Sequence, residues 1–584
     1  MVKSRRMPLL PRRHPAPIFG WFLAASALGA GPADDLFRIT PAHSAATLVV
    51  EGLRDQARGV LASPLFDRLR GASAIQQWAN SPGIGRIRES TRQVETALGL
   101  PITTIRDRIL GDAAVLAFFP GPIGSPRESR GLLLTRGHDR DVVEKLFEGI
   151  DRAQIRSGEV LRIERRTRGS IAYAVRVYRP GTKPDECHAH LDGETFAWSN
   201  SEALLQDVID LKLAGGRGLG DDEAFGKVRR GLPGRAAASL FLAPEMIRRF
   251  LAEGPPPSKW SGRLVDLILR HYAGAIAYVG VGLEWGEGPS IQVHESLNVE
   301  KLQPSVRRWL AGPSAPTDIA EVPETAWAVA AVNIDLPAVR QIAWDGIDPT
   351  DLPRLENLRE AARGILSGLD PVDDLLPRLN PGILAYADAR SRTDRRPLLP
   401  LVGVVGWSDG PGQPALAGSI DNALKTCLAL RALGLADRPN REGLRVQPLV
   451  VAAKKLTVLT NGRRNLTAYR VDAGRLAFGN SAEAVARFGP GQVRSAIHEI
   501  RAKHCGAATT FAIVDLDRLI GEVKRSRAAI ARRLAAGSSR PVAEVERDLD
   551  HLLGLAGLFR ASVFASEVSA GGSEVHRTLR LLAR

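Results

Sequence analysis

Two stretches of the chain decide how it is read. HLDGETFAWSNSEAL spans His190–Leu204, and RVDAGRLAFGNSAEA spans Arg470–Ala484, 280 residues further on. Each has Asp in third place, an aromatic in ninth, Asn-Ser in eleventh and twelfth, and then an Ala/Glu-rich opening. Apolar and polar residues alternate on both sides of a turn, which predicts paired half-buried strands. Asp192-Gly193 is expected as a type I′ turn, whose central residues take positive φ. Asn200 or Ser201 is placed to cap the helix that follows, and Ser481 does the same in the second stretch.

The correspondence extends outward in order. AWAVAAVNID (Ala326–Asp335) matches ATLVVEGLRD (Ala46–Asp55). PGILAYADA (Pro381–Ala389) stands for DAAVLAFFP (Asp112–Pro120), and PLVGVVGWSD (Pro400–Asp409) for GLLLTRGHD (Gly131–Asp139). AATTFAIVDL (Ala507–Leu516) parallels AAASLFLAPE (Ala236–Glu245), and Val575-His576 parallels Val293-His294 in the closing hairpins. The chain is therefore expected to be a tandem duplication, with repeats at 45–310 and 325–584 and a Pro-rich linker at 311–324. The expected fold class is α+β: each repeat a mainly antiparallel, meandering β-sheet covered by helices over one face.

At 584 residues the chain exceeds what one core usually serves. Its 44% apolar and 24% charged residues are those of a globular protein. Net charge is +15, but bases and acids are interspersed and aromatics are only 5%. That argues against nucleic acid, which needs a focused basic stripe or stacking aromatics. Three distant cysteines, Cys187, Cys427 and Cys505, rule out a disulfide scaffold.

The N-terminus reads as an address. Lys3, Arg5, Arg6, Arg12 and Arg13 precede the first acid, Asp34. Subtracting those five charges from +15 leaves +10 for the remainder. IFGWFLAASALGAG (Ile18–Gly31) follows, with small residues suited to cleavage. Residues 1–30 are expected as a signal peptide or an uncleaved anchor, and 31–44 as a connector.

Several groups invite a chemical reading. Cys187-His188-Ala189-His190 holds zinc-ligand types, but on a strand the Cys and the two His face opposite ways, and His188 and His190 are expected toward solvent. Asp185-Glu186 and Asp192/Glu194 are paired acids. GGRGLGDDEAF (Gly215–Phe225) lacks the phosphate-loop pattern and reads as a loop capped by Asp221 or Asp222. Ser481 is a cap rather than a nucleophile, and His294 and His576 are matched strand residues. No catalytic residue, metal ligand or cofactor is assigned.

ATLVVEGLRDQARGVLASPLFDRL, ILGDAAVLAFF, HLDGETFAWSNSEALLQDVID and FGKVRRGLP together resemble large exported bacterial proteins that share a domain of unknown function. The resemblance covers most of 45–250 and, more faintly, 325–520; the second half has Asn380-Pro381 where Gly111-Asp112 stands in the first. It implies an exported α+β protein and supplies no functional residue. Three functions are consistent with these readings. One is a non-enzymatic cell-envelope or periplasmic protein binding an envelope protein, lipid or other ligand. The second is electrostatic docking to an anionic membrane or polymer. The third is an envelope hydrolase with a site assembled from distant residues.

Overall fold

The computed structural model describes residues 32–584 except 111, 124, 138, 182, 235, 254–269, 271, 287, 311–318, 346, 348–351, 390–398, 411–414, 434–443, 463–464, 473, 491–493, 539 and 570. The expected leader at 1–30, the loop at 254–260 and most of the linker lie outside the described residues.

Ten strands form in each half. The first has β1 (Ala46–Glu51), β2 (Ala113–Phe119), β3 (Arg130–Arg136), β4 (Val160–Arg168), β5 (Ile171–Tyr178), β6 (Glu186–His190), β7 (Thr195–Ser199), β8 (Ala238–Leu242), β9 (Ile276–Trp285) and β10 (Pro289–Leu297). The second has β11 (Ala326–Asn333), β12 (Leu379–Asp388), β13 (Leu401–Trp407), β14 (Arg445–Val451), β15 (Lys454–Thr460), β16 (Asn465–Asp472), β17 (Arg475–Gly479), β18 (Thr510–Asp515), β19 (Phe559–Val568) and β20 (Glu574–Ala583). Every pairing is antiparallel. The first half runs β4-β5-β6-β7-β3-β2-β1-β8-β9-β10. The second runs β14-β15-β16-β17-β13-β12-β11-β18-β19-β20, the same order. β10 pairs with β20, so a single sheet of 20 strands crosses both halves. In that pairing His294 lies opposite His576.

Each half has its main core on one face, here called the inner face. In the first, Val115, Leu132, Leu134, Ala197 and Phe241 pack beneath Leu204, Leu205, Phe225 and Val228 of the helices Glu202–Ala214 and Glu223–Gly231. In the second, Val329, Val402, Val458 and Ile513 pack beneath Val485, Ile497 and Ile500. Helices also cover parts of the outer face, contrary to the expectation of one-sided cover. Phe196 and Trp198 point away from the main core, and these aromatics draw Val142, Val143 and Phe147 of the helix Arg140–Ser157 onto them. Trp407 and Leu476 recruit the helix Leu416–Leu433 in the second half. The segment 31–44, expected as a connector, holds the helix Pro32–Ile39. Its Ala33, Leu36 and Phe37, spaced on one helical face, are buried in the main core.

The repeated Asn-Ser pair divides its labour. Asn200 Oδ1 accepts from Gly131 N (2.7 Å), and its Nδ2 donates to Ser129 O (3.2 Å). Asn480 makes the same two bonds with Leu401 N (2.8 Å) and Leu399 O (2.9 Å). Each Asn thus pins the end of one strand to the start of its neighbour. The helix caps are the serines: Ser201 Oγ accepts from Leu204 N and Ser481 Oγ from Ala484 N, both at 3.4 Å. The turn at Asp192-Gly193 differs from expectation, since neither residue takes positive φ. The Asp192 carboxylate shapes it by accepting from Glu194 N (2.7 Å) and Thr195 N (2.6 Å).

Asn200→Ala and Asn480→Ala should each destabilise the protein by about 1–3 kcal/mol, because each leaves a strand-end N–H and C=O without its bond. Urea denaturation of both variants measures this. Unchanged midpoints would make the shared geometry incidental.

Candidate functional site

The cluster Cys187–His190 is split by the sheet. Cys187 is buried in the main core and its Sγ donates to Ser199 O at 3.4 Å. Burial, reinforced by the Glu202 carboxylate, pushes its thiol up to about 12, so it stays protonated at neutral pH. His188 faces the other way, yet not into solvent. The helix Arg140–Ser157 lies over it, and its ring stacks on Phe147 with centroids 4.3 Å apart. Its Nδ1 is buried with no hydrogen-bond partner among the described residues. Burial, with the nearby Arg176 and His190, lowers His188 to about 3 and keeps it neutral. Local alternation gave the side of the strand correctly but not the distant helix that covers it.

An open cleft of about 580 Å³ lies beside these residues, lined among others by Arg140, Glu144, Asp151, Tyr173 and His190. Its floor is organised by Arg176, only 1% exposed. The guanidinium donates to Asp151 (2.6 Å), lies 3.5 Å from Glu186, and sits over the Phe147 ring at 4.7 Å. Tyr178 Oη lies 2.9 Å from both the Glu186 carboxylate and the Gln154 side chain, and donates its one proton between them. Asp185 accepts from Tyr178 N at 2.9 Å. The acids flagged in the sequence are therefore tied into holding the hairpin together. No group of three His, Cys, Asp or Glu among the described residues is placed to hold a metal.

A second cleft, about 570 Å³, joins two segments read separately in the sequence: the Asp192 turn and the loop after Gly215. Lys212 donates to Asp192 at 2.5 Å, and Arg136 pairs with Asp35 and Glu194. Partial burial opposes ionisation of Asp192, but Lys212 and the N–H groups of Glu194 and Thr195 outweigh it and hold the carboxyl down to about 2. Asp222 caps the helix at Phe225 N (2.9 Å), while Asp221 accepts from Gly218 N (2.9 Å). At the seam, the His294 ring packs so closely under Gly231 that a Cβ there would lie 2.3 Å from Nδ1. His294 Nε2 is 3.2 Å from Glu574, and His576 Nε2 is 3.3 Å from Gln292.

The feature absent from the sequence reading is on the outer face. The register aligns Leu283, Ile291, Leu579, Phe564, Ala512, Ala330, Ala385, Gly403 and Phe478 as direct neighbours from β9 to β17. Every one is apolar and none is buried; Leu283, Ile291, Leu579 and Phe478 are 43, 42, 42 and 44% exposed. The Phe478 ring lies across Gly403, where a Cβ would come within 2.7 Å of it. At ~4.8 Å per strand, nine strands make a row ~38 Å long. At the seam, side chains under helices border it: Trp285 and Leu581 pack with Leu65 on one side, while Val279 and Val575 pack with Ile247 and Leu310 on the other. The row thus floors a trough about two residues wide. Its sequence signal was the near-continuous apolar runs AWAVAAVN and LVGVVGW, which mark strands apolar on both faces.

Compared with known proteins, the chain matches no family model, and no curated sequence or solved structure is significantly similar to it.

Neutral His188 sets a pH dependence. Its folded pKa, about 3, lies below the unfolded value near 6.5, so the unfolded state binds more protons between those values. Stability from this residue is complete above pH 6.5 and falls by up to about 1.4 kcal/mol per pH unit below it. His188→Phe should remove that slope between pH 6 and about 4, read as the difference from the parent in denaturation midpoints; parallel pH profiles would contradict a neutral buried His188.

Proposed function

We propose that this chain is an exported, non-enzymatic binding protein of the cell envelope, and that its ligand or partner docks on the apolar outer face of the sheet. The nine-strand row carries this reading. A soluble surface seldom exposes so long an uninterrupted apolar stripe, and such stripes mark binding sites. Each Å² of it removed from water yields roughly 25 cal/mol, a driving force for docking that the rest of the chain leaves unused. The clefts offer a contrasting picture: Arg176, Asp151, Glu186, Asp192 and Lys212 are engaged with one another, which favours a structural over an acid–base role. The basic and then apolar residues of 1–30 support export. The shared strand order and the paired Asn bonds support descent of the two halves from one duplicated unit.

Two measurements test the reading. Folded full chain should bind the apolar dye ANS, and Leu579→Lys should weaken that binding while changing stability by no more than about 0.5 kcal/mol, as expected at an exposed position. Dye binding indifferent to this substitution would remove the outer face as the site. Residues 1–44 fused to a phosphatase that is active only outside the cytoplasm should yield activity; a silent fusion would overturn export.

A further inference from the structure

Resting on the reading of the outer face as the binding site, we propose that its occupant is the acyl chains of an anionic membrane phospholipid. The row offers an occupant only hydrocarbon. Its nine side chains are Leu, Ile, Phe, Ala and Gly, with no hydrogen-bonding atom among them; in the second file of the floor Arg577 is paired with Glu295 and Thr510 Oγ1 accepts from Asn333 N, while Ser566 adds a hydroxyl. A protein partner would need about one hydrogen bond per 100–200 Å², hence roughly three to five over this floor. Two residues wide and ~38 Å long, the floor covers about 500 Å², short of the ~800 Å² per partner of a stable protein complex or of a second copy. Length suits lipid better. One leaflet's acyl chains span about 15 Å, half the hydrocarbon core, so the trough holds both chains of a lipid laid flat.

The walls favour the same occupant. Val279 and Val575 on one side, and Trp285 and Leu581 on the other, continue the apolar surface up to the helices that flank the seam. Headgroup sign follows from charge. The net +10 of the residues after the leader attracts an anionic headgroup and an anionic bilayer surface from which the lipid would be drawn. Within the floor at the seam, Arg577 is ion-paired with Glu295 and donates to the Tyr272 hydroxyl at 3.3 Å.

The experiment is lipid retention by the full chain. The protein is incubated with phosphatidylglycerol vesicles, separated from them by gel filtration, and extracted for lipid. About one lipid per chain is expected, matching the capacity of the trough. Ile291→Asp at the seam and Ala385→Trp on β12 should each lower retention at least about tenfold, the first by placing a carboxylate under hydrocarbon and the second by filling the floor. Both positions are exposed in the row, and circular dichroism with thermal melting verifies folding. Retention lost in both folded variants supports the proposal. Equal retention in parent and variants overturns it, as does binding of free palmitate without phosphatidylglycerol. No retained lipid alongside dye binding that Leu579→Lys abolishes overturns the lipid while leaving the outer face as a site. A parent dimer that becomes monomeric in the variants assigns the row to a second copy and overturns it too. Loss of both lipid and dye binding removes both readings.

Discussion

The ladder between β10 and β20 is the constraint on which the rest of the molecule depends. Seven register pairs, from Ser290↔Arg580 to Ser296↔Glu574, make one sheet of two halves. Its antiparallel register sets His294 and His576 directly opposite each other. Burial and the neighbouring His294 push His576 below the usual imidazole range. The same ladder carries the apolar row from one half into the other through Ile291 and Leu579. Without it, Leu283 would end a short patch of no particular length.

Much of this architecture was legible in the residues, because strands, turns and caps are local. Alternation located the hairpins β6–β7 and β16–β17 on either side of their Gly-containing turns. Ser201, Ser481 and Asp222 cap helices as their positions suggested. What was not legible depends on distant partners. The Asn200 side chain reaches a strand some 70 residues upstream, a contact no local pattern encodes. His188 was read as facing solvent because a strand has two sides; whether a side is wet depends on where the helix Arg140–Ser157 lies. The outer row was least accessible of all. Each strand reveals which residues share a face, but a row across nine strands exists only once every register is fixed.

Polar chemistry is used differently on the two sides of this fold. In the first half's clefts, charges neutralise one another and fix geometry: Arg176 with Asp151 and Glu186, Lys212 with Asp192, Arg136 with Asp35. At the sheet's free edges, they serve to keep strangers away. β4 presents Arg162, Arg165, Arg166 and Arg168, and β14 carries Pro448, which has no N–H to offer an incoming strand. Both margins of the sheet thus carry residues that disfavour extension, while its outer face stays open in the middle.

The partner strand for β10 is synthesised long after it, from the far half of the chain. Until residues 574–583 leave the ribosome, the first half carries a nine-residue strand whose outer hydrogen-bonding groups have nothing to meet. A nascent or truncated polypeptide therefore displays an unprotected sheet margin, and that margin is apolar on one side at Ile291 and Val293. Two such fragments would fit each other nearly as well as each fits its missing strand. Quality control of this protein is accordingly a question of timing: β10 is safe from its own kind only once residues 574–583 have been delivered to it.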